Sequence, residues 1–202
     1  DIGQNDLGAG FFGNMTIQQV NASVPDIVNA FDIYDLGARS FWIHNTGPIG
    51  CLSYILANFL SERDDYGCAK PYNEVAKYFN QKLKEAVVQL RKDIPQAAIT
   101  YVDIYSVKYS AIQRNTVSEI KLVMLYKFCG KISHNVCYVG CGGTIDVNGT
   151  EIFVSSCERP SVRVNWDRIH YTEAANKFIF DQISTGAFSE PPLPLSMECH
   201  KN

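Results

Sequence analysis

The stretch NEVAKYFNQKLKEAVVQLRKDIPQAAITYVDIY, residues 73–105, joins a helical pattern to a strand pattern. Between Asn73 and Asp93, apolar residues recur at helical spacing among lysine, glutamine and glutamate, which predicts an amphipathic helix. The apolar face of this helix holds Phe79, Leu83, Val87 and Leu90. Pro95 ends the helix, and the apolar AAITYVDIY that follows predicts a buried strand.

The flanking segments continue the alternation of strands and helices. RSFWIHN, residues 39–45, is aromatic and β-branched, which favours a strand, and it ends at the turn-forming TGPIG of residues 46–50. Helical spacing recurs in VPDIVNAFDIYDL, residues 24–36, before the helix stop Gly37, and TEAANKFIFDQIS, residues 172–184, predicts another helix. This alternation predicts an α/β fold in which helices cover both faces of a parallel sheet.

Length, charge and hydropathy limit the function classes. The 202 residues favour a single domain over residues 1–202, and the net charge of -3 offers no basic surface for nucleic acid. No apolar run is long enough to cross a bilayer, so we expect no transmembrane segment. The chain begins with Asp rather than Met, and we therefore expect a processed or truncated product, or part of a longer polypeptide.

The cysteine content indicates the secretory pathway. None of the seven cysteines forms a C-x-x-C pair; they are Cys51, Cys68, Cys129, Cys137, Cys141, Cys157 and Cys199. Disulfides are the favoured interpretation, and zinc is the alternative, although Cys137, Cys141 and Cys157 lack the close paired spacing of a structural zinc site. Because the count is odd, at least one thiol has no partner within the chain.

Three glycosylation sequons favour the same compartment. They are Asn14-Met-Thr, Asn21-Ala-Ser and Asn148-Gly-Thr. Since glycans are attached along the secretory route to exposed segments, we expect a secreted glycoprotein.

A candidate catalytic base lies in VNWDRIHYTEAAN, residues 164–176. Asp167 and His170 are three residues apart, just before a helix for which Thr172 is the predicted N-cap. At this spacing the carboxylate can accept a hydrogen bond from Nδ1 of the imidazole, which leaves Nε2 to act as a general base. The alternative is a surface ion pair or a helix cap without catalytic function.

A candidate oxyanion donor lies in the opening DIGQND, residues 1–6. Ile2 is predicted to end a strand, Gly3 permits a sharp turn, and Asn5 then stands at the carboxyl end of that strand. The amide of Asn5 is a neutral donor that could bind a developing oxyanion. An ordinary Asx turn is the alternative.

Taken together, several blocks of the chain resemble the plant GDSL-type esterase/lipase family of SGNH hydrolases. GQND resembles the block that holds an oxyanion-donating Asn, and WDRIHYTEAAN resembles the block that holds the catalytic Asp and His. Further similarity lies in LGARSFWIHNTGPIGC (36–51), QLRKDIPQAAITYVDIYSVKY (89–109) and CGGTIDVNGTEIF (141–153). The resemblance covers nearly the whole chain and is weakest at residues 111–138.

The resemblance implies a three-layer α/β/α fold of flavodoxin-like type and a secreted enzyme that hydrolyses carboxylic esters without a cofactor or metal. Asp167 would orient the imidazole of His170, and His170 would be the general base. Asn5, after the turn at Gly3, would be one oxyanion donor. His44, beside Trp42, is expected to be a core or pocket-rim histidine rather than the base.

The chain also departs from the family pattern. The family nucleophile belongs to a Gly-Asp-Ser block that precedes GQND, and no Gly-Asp-Ser or G-x-S-x-G occurs here. We therefore expect the serine and one or more amino-terminal strands to lie outside this chain. The expected partners are an ester substrate and that missing amino-terminal segment. Arg168 stands where relatives usually have glycine.

Two other functions are compatible with the sequence. One is a non-catalytic secreted glycoprotein derived from such an enzyme. The other is a glycan-acting hydrolase, either a carbohydrate acetylesterase or a glycosidase. A glycosidase needs two carboxylates about 5 to 9.5 Å apart, and the sequence offers no convincing second carboxylate for Asp167.

Overall fold

The computed structural model describes residues 2–29, 38–113, 144–153, 161 and 164–198. The described helices are α1 Gln4–Phe12, α2 Ile17–Asn29, α3 Ser53–Asn58, α4 Lys70–Asp93, α5 Ile104–Gln113, α6 Glu173–Ile183 and α7 Leu195–Glu198, with a 3₁₀ turn at Ile49–Cys51. The described strands are β1 Ser40–His44, β2 Ala98–Val102, β3 Thr144–Val147, β4 Thr150–Phe153 and β5 Ser189–Glu190.

The described strands form one mixed sheet and one hairpin. The sheet has the order β1-β2-β5, and β3 pairs with β4 in the antiparallel hairpin. β1 and β2 are parallel in a register that pairs Ser40 with Ala98, whereas β5 is antiparallel to β2 and pairs Glu190 with Tyr101. The α/β class is therefore confirmed, and the short β5 makes the described sheet mixed rather than wholly parallel.

Helix α4 follows the apolar pattern from which it was predicted. It begins at Lys70, slightly before the predicted Asn73, and it ends at Asp93 ahead of Pro95. Its buried apolar side chains include Val75, Phe79, Leu83 and Val87, which repeat every four residues. Burial of this stripe against the core stabilises the helix, because apolar area removed from water contributes about 25 cal/mol per Å².

Helix α2 begins earlier than the apolar spacing predicted. It starts at Ile17 rather than Val24, and Pro25 lies inside it. The side-chain oxygen of Thr16 accepts from the amide of Gln19, while the Gln19 carboxamide accepts from the amide of Thr16. This reciprocal capping box fixes the helix start. The predicted end at Gly37 lies outside the described residues.

The chain divides into two compact units. The first comprises Asp1–Ile49, Pro71–Tyr109 and Phe180–Asn202, and the second comprises Gly50–Lys70 and Ser110–Ile179. The three-stranded sheet belongs to the first unit, whereas α3 and the β3–β4 hairpin belong to the second. The single domain expected from chain length stays a prediction.

A buried polar network fixes the chain after β1 in the first unit. The side-chain amide of Asn45 donates to the hydroxyl of Tyr101 at 2.9 Å and to a carboxylate oxygen of Asp103 at 3.0 Å. The amide of Thr46 donates to the side chain of Asn80, whose own amide donates back to the Thr46 carbonyl, both at 2.9 Å. Buried groups paired in this way avoid the cost of desolvation without a partner.

A disulfide closes a loop in the second unit. It joins Cys51 to Cys68 across a sequence separation of 17 residues, with Cα atoms 4.5 Å apart. The backbone next to it is also paired, because the amide of Ala69 donates to the carbonyl of Gly50 at 2.8 Å. The expectation of disulfides is confirmed for this pair. The other cysteines, Cys129, Cys137, Cys141, Cys157 and Cys199, lie outside the described residues.

Candidate functional site

The predicted base lies in a tight turn of the second unit. The turn is closed by backbone hydrogen bonds from the amide of Thr172 to the carbonyl of Val164, 2.7 Å, and from Trp166 to His170, 3.3 Å. Asn165 and Tyr171 form an antiparallel bridge between these two bonds. Residues 166–170 are thus held as the tip of a short hairpin-like loop.

Asp167 organises the tip of this turn. One of its carboxylate oxygens accepts from the backbone amides of Ile169 at 3.0 Å and His170 at 2.7 Å. The other oxygen lies 2.5 Å from Nδ1 of the His170 ring. Because an ionised carboxylate only accepts hydrogen bonds, Nδ1 of His170 donates in this contact, an arrangement in which the Nε2 of a neutral imidazole would be the acceptor. The structure thus brings together the two residues that the D-x-x-H spacing selected.

The charge of Asp167 is set by two opposing effects. Partial burial would raise the pKa of the carboxyl, but hydrogen bonds from the His170 ring and from the amides of His170 and Ile169 outweigh it and hold the pKa below its usual value. The carboxylate is therefore ionised at neutral pH. The His170 side chain is 63% exposed in the described structure.

Trp166 and Arg168 belong to the turn and were not predicted as site residues, but both contact neighbouring rings. The indole of Trp166 stacks on the His170 ring with centroids 5.9 Å apart. Arg168 has a φ of 79°, a left-handed conformation that costs a non-glycine residue about 1 to 2 kcal/mol. Its guanidinium lies over the ring of Tyr54, 5.1 Å from the centroid. The one sequence signal for Arg168 was its position where relatives usually have glycine.

The helix that follows the turn begins as predicted. Helix α6 starts at Glu173, and the hydroxyl of Thr172 accepts from the amide of Ala175 at 3.3 Å. Thr172 therefore caps the helix, as the sequence indicated, and anchors the carboxyl side of the turn.

The predicted oxyanion residues lie in the first unit. Gly3 has a φ of 80°, and a Cβ atom placed there would be 2.3 Å from the ring of Phe79, so only glycine fits. Asn5 is exposed in the first turn of α1, where the backbone amides lack partners within the helix. Asn5 thus lies in a helix that begins directly after the turn at Gly3, and the strand expected to end at Ile2 stays a prediction. Ile2 lies outside the described strands, and its amide donates to the carbonyl of His44 at 3.3 Å.

His44 has the environment of a poor base. Burial, with a smaller contribution from nearby positive charge that includes Lys108, lowers the pKa of its ring to about 4. The ring packs against Trp42 with centroids 4.3 Å apart. Among the described residues, Nε2 of His44 is buried and has no hydrogen-bond partner. This nitrogen therefore lacks the hydrogen bond that a buried histidine usually makes.

Comparison with known proteins identifies the family. The family model described as GDSL-like Lipase/Acylhydrolase matches residues 1–183. The whole chain is 59% identical to an esterase of Hevea brasiliensis, covering 53% of that protein. It is also 56% identical over its whole length to a GDSL esterase/lipase of Medicago truncatula, of which it covers 54%. An alpha-L-fucosidase of Arabidopsis thaliana is 46% identical over 92% of the chain, which covers 53% of that relative. The chain spans about half the length of these curated relatives. It belongs to the GDSL-like lipase/acylhydrolase family.

Proposed function

We propose that the protein is a carboxylic ester hydrolase that acts by a Ser-His-Asp acyl-enzyme mechanism. The observation that carries this proposal is the hydrogen bond between His170 and Asp167, with Asp167 also accepting two backbone amides. Such an arrangement fixes the tautomer of the imidazole and stabilises the imidazolium form, which is what a general base of an acyl-transfer enzyme requires. The names of the relatives agree with an ester substrate.

In this mechanism, Nε2 of His170 removes the proton from the serine hydroxyl as the serine oxygen bonds to the ester carbonyl carbon. The carbonyl electrons move to its oxygen, and Asn5 donates a hydrogen bond to the resulting oxyanion. When the intermediate collapses, the ester bond breaks and the departing alcohol takes the proton from His170. A water molecule then releases the acyl group by the same steps, with His170 again the base.

We further propose that the serine belongs to a segment outside these 202 residues. The absence of a Gly-Asp-Ser block from the sequence and the greater length of the relatives support this assignment. If the protein is instead a non-catalytic glycoprotein that has lost its nucleophile, that segment contains no nucleophilic serine.

The same segment would complete the parallel sheet of a three-layer α/β/α fold of flavodoxin-like type. Among the described residues β1 pairs with β2 alone, so the other edge of β1 has no strand partner there. The amide of Ile2 donates to the carbonyl of His44 at the end of β1. A strand that runs into Ile2 would therefore lie beside β1 and parallel to it, with its backbone groups paired.

Secretion is the proposed location. The disulfide between Cys51 and Cys68 is a bond that persists in oxidising compartments, and the three sequons suit the same route. Within the described ranges, no helix has the length and apolar character needed to span a membrane.

The sequons are expected to differ in glycan occupancy. Asn14 and Asn148 are exposed on turns, with φ values of 58° and 53°. Asn21 lies inside α2, and its Oδ1 is buried without a hydrogen-bond partner among the described residues. We expect glycans at Asn14 and Asn148 and none at Asn21. Peptide mapping after enzymatic deglycosylation in heavy-oxygen water measures this, and occupancy of Asn21 equal to the other two would contradict it.

A serine-directed phosphonate tests the proposed function. The full-length protein should be labelled by a fluorescent phosphonate and should hydrolyse a p-nitrophenyl ester, whereas the isolated 202-residue chain should do neither because it lacks the nucleophile. Turnover by the isolated chain that the phosphonate abolishes would place the serine within it. A full-length protein that is neither labelled nor active would favour the non-catalytic glycoprotein.

A glycan-acting hydrolase is the second candidate, and the relative named alpha-L-fucosidase is the observation that favours it. The same full-length preparation should be offered a p-nitrophenyl fucoside and an acetylated sugar. Ester hydrolysis that is sensitive to the phosphonate, without release from the fucoside, would support the esterase. Release from the fucoside that resists the phosphonate would support a glycosidase.

A further inference from the structure

We propose that Arg168 is a positioning residue, whose guanidinium clamps on Tyr54 and so holds the turn that carries Asp167 and His170. This inference rests on the proposed function of that pair. The contact between Arg168 and Tyr54 is called the clamp below.

The need for a clamp arises from the backbone of Arg168. Its φ of 79° places a long side chain in a conformation that glycine adopts without strain. This conformation turns the chain so that one oxygen of Asp167 reaches the amides of Ile169 and His170. If Arg168 relaxed to a negative φ, these two bonds would be lost and the carboxylate would leave the His170 ring.

The clamp attaches Arg168 to one residue through both side chain and backbone. The guanidinium carbon lies 5.1 Å from the centre of the Tyr54 ring. The amide of Tyr54 donates to the carbonyl of Arg168 at 3.3 Å. In addition, Nε of Arg168 is buried and has no hydrogen-bond partner in the described part of the chain. The cation therefore faces the ring with part of its water removed, which strengthens a cation–π contact.

Tyr54 is itself held in place. It lies in the first turn of α3, and its carbonyl accepts from the side-chain amide of Asn58 at 2.8 Å. Cys51, which is joined to Cys68, precedes it by three residues. The segment closed by the disulfide therefore holds Tyr54 in place. The contact of Tyr54 with Arg168 in turn holds the turn that carries Asp167 and His170.

A double-mutant cycle in the full-length protein tests the clamp. Tyr54→Leu should lower kcat for a p-nitrophenyl ester by about tenfold with little change in KM, since misplacing catalytic groups slows turnover. Tyr54→Phe keeps a ring and should keep kcat. In an Arg168→Gly background, Tyr54→Leu should have no further effect, because glycine holds a positive φ without a clamp. Arg168→Lys, which keeps a cation, should retain more activity than Arg168→Ala.

A structural readout separates the clamp from the proposed function. In isotope-labelled full-length protein, the imidazole shifts of His170 should report loss of the Asp167 hydrogen bond in Tyr54→Leu and in Arg168→Ala, but not in Tyr54→Phe. Should the protein lack esterase activity altogether, the proposed function fails and these shifts still decide on the clamp.

Three results would overturn the clamp. The first is an effect of Tyr54→Leu that is equal in the protein with Arg168 and in the Arg168→Gly variant. The second is a change in melting temperature alone, with kcat and the His170 shifts unchanged. The third is loss of both signals in Tyr54→Phe, which would assign the effect to the tyrosine hydroxyl.

Discussion

Replacing His170 with alanine is expected to lower ester turnover by the full-length protein by several orders of magnitude, on the order of 10⁴-fold or more. The reason is that Nε2 of His170 is the proposed proton acceptor in both halves of the reaction, and its ring is oriented by the carboxylate at 2.5 Å. Steady-state kcat and KM on a p-nitrophenyl ester measure the loss. Melting temperature should change little, because the His170 side chain is largely exposed.

His44→Ala is the matched control for this experiment. Burial lowers the pKa of His44 to about 4, so the ring is a weak base at neutral pH, and its packing against Trp42 points to a structural contribution. We expect His44→Ala to lower the melting temperature and to keep most of the turnover per folded molecule. If His44→Ala abolishes turnover and His170→Ala does not, the base has been assigned to the wrong residue.

Asn5→Ala is expected to lower kcat of the full-length protein by about 10² to 10³-fold with little change in KM. The side-chain amide of Asn5 would bind an oxygen that becomes negative only in the transition state, so its loss should leave substrate binding intact. The exposed position of Asn5 in the first turn of α1 predicts a small change in stability. Kinetics and thermal unfolding should be measured on the same preparation.

Gln4→Ala provides the control for Asn5, since Gln4 is in the same turn of α1 and has no proposed catalytic role. It should keep kcat within a few fold. A loss of melting temperature in Asn5→Ala without a loss of kcat would remove Asn5 from the mechanism. Equal losses of kcat in both variants would indicate a disturbed helix start instead.

The elements predicted well are those with a sustained period. Helix α4 lies close to its predicted position because its apolar residues recur over many turns. Strand β2 lies within the predicted segment 97–105 but is shorter, because α5 begins at Ile104. The start of α2 was missed because it depends on two reciprocal hydrogen bonds between Thr16 and Gln19 rather than on an apolar repeat. The segment at Asn5 shows no apolar repeat, so the helix that begins at Gln4 was not predicted.

In the candidate site, a contact between residues close in sequence could be predicted, whereas a contact between distant residues could not. Asp167 and His170 could be paired from sequence because a turn brings residues three apart within reach. Tyr54 could not be added to them, since nothing in the sequence joins α3 to a turn more than a hundred residues later. The left-handed φ of Arg168 is indicated only by the glycine that relatives usually have at this position, because arginine itself carries no preference for that conformation.

The pairing of β2 with β5 has a consequence for the order of events during synthesis. Tyr101 is translated well before its partner Glu190, and ribosomes add about 5 to 20 residues per second. During these seconds, the backbone groups of β2 that pair with β5 do not yet have that partner. Contacts between residues so far apart in sequence also form slowly, because a long loop must close first. We therefore expect β2 to pair with β5 only after the carboxyl-terminal residues have been synthesised.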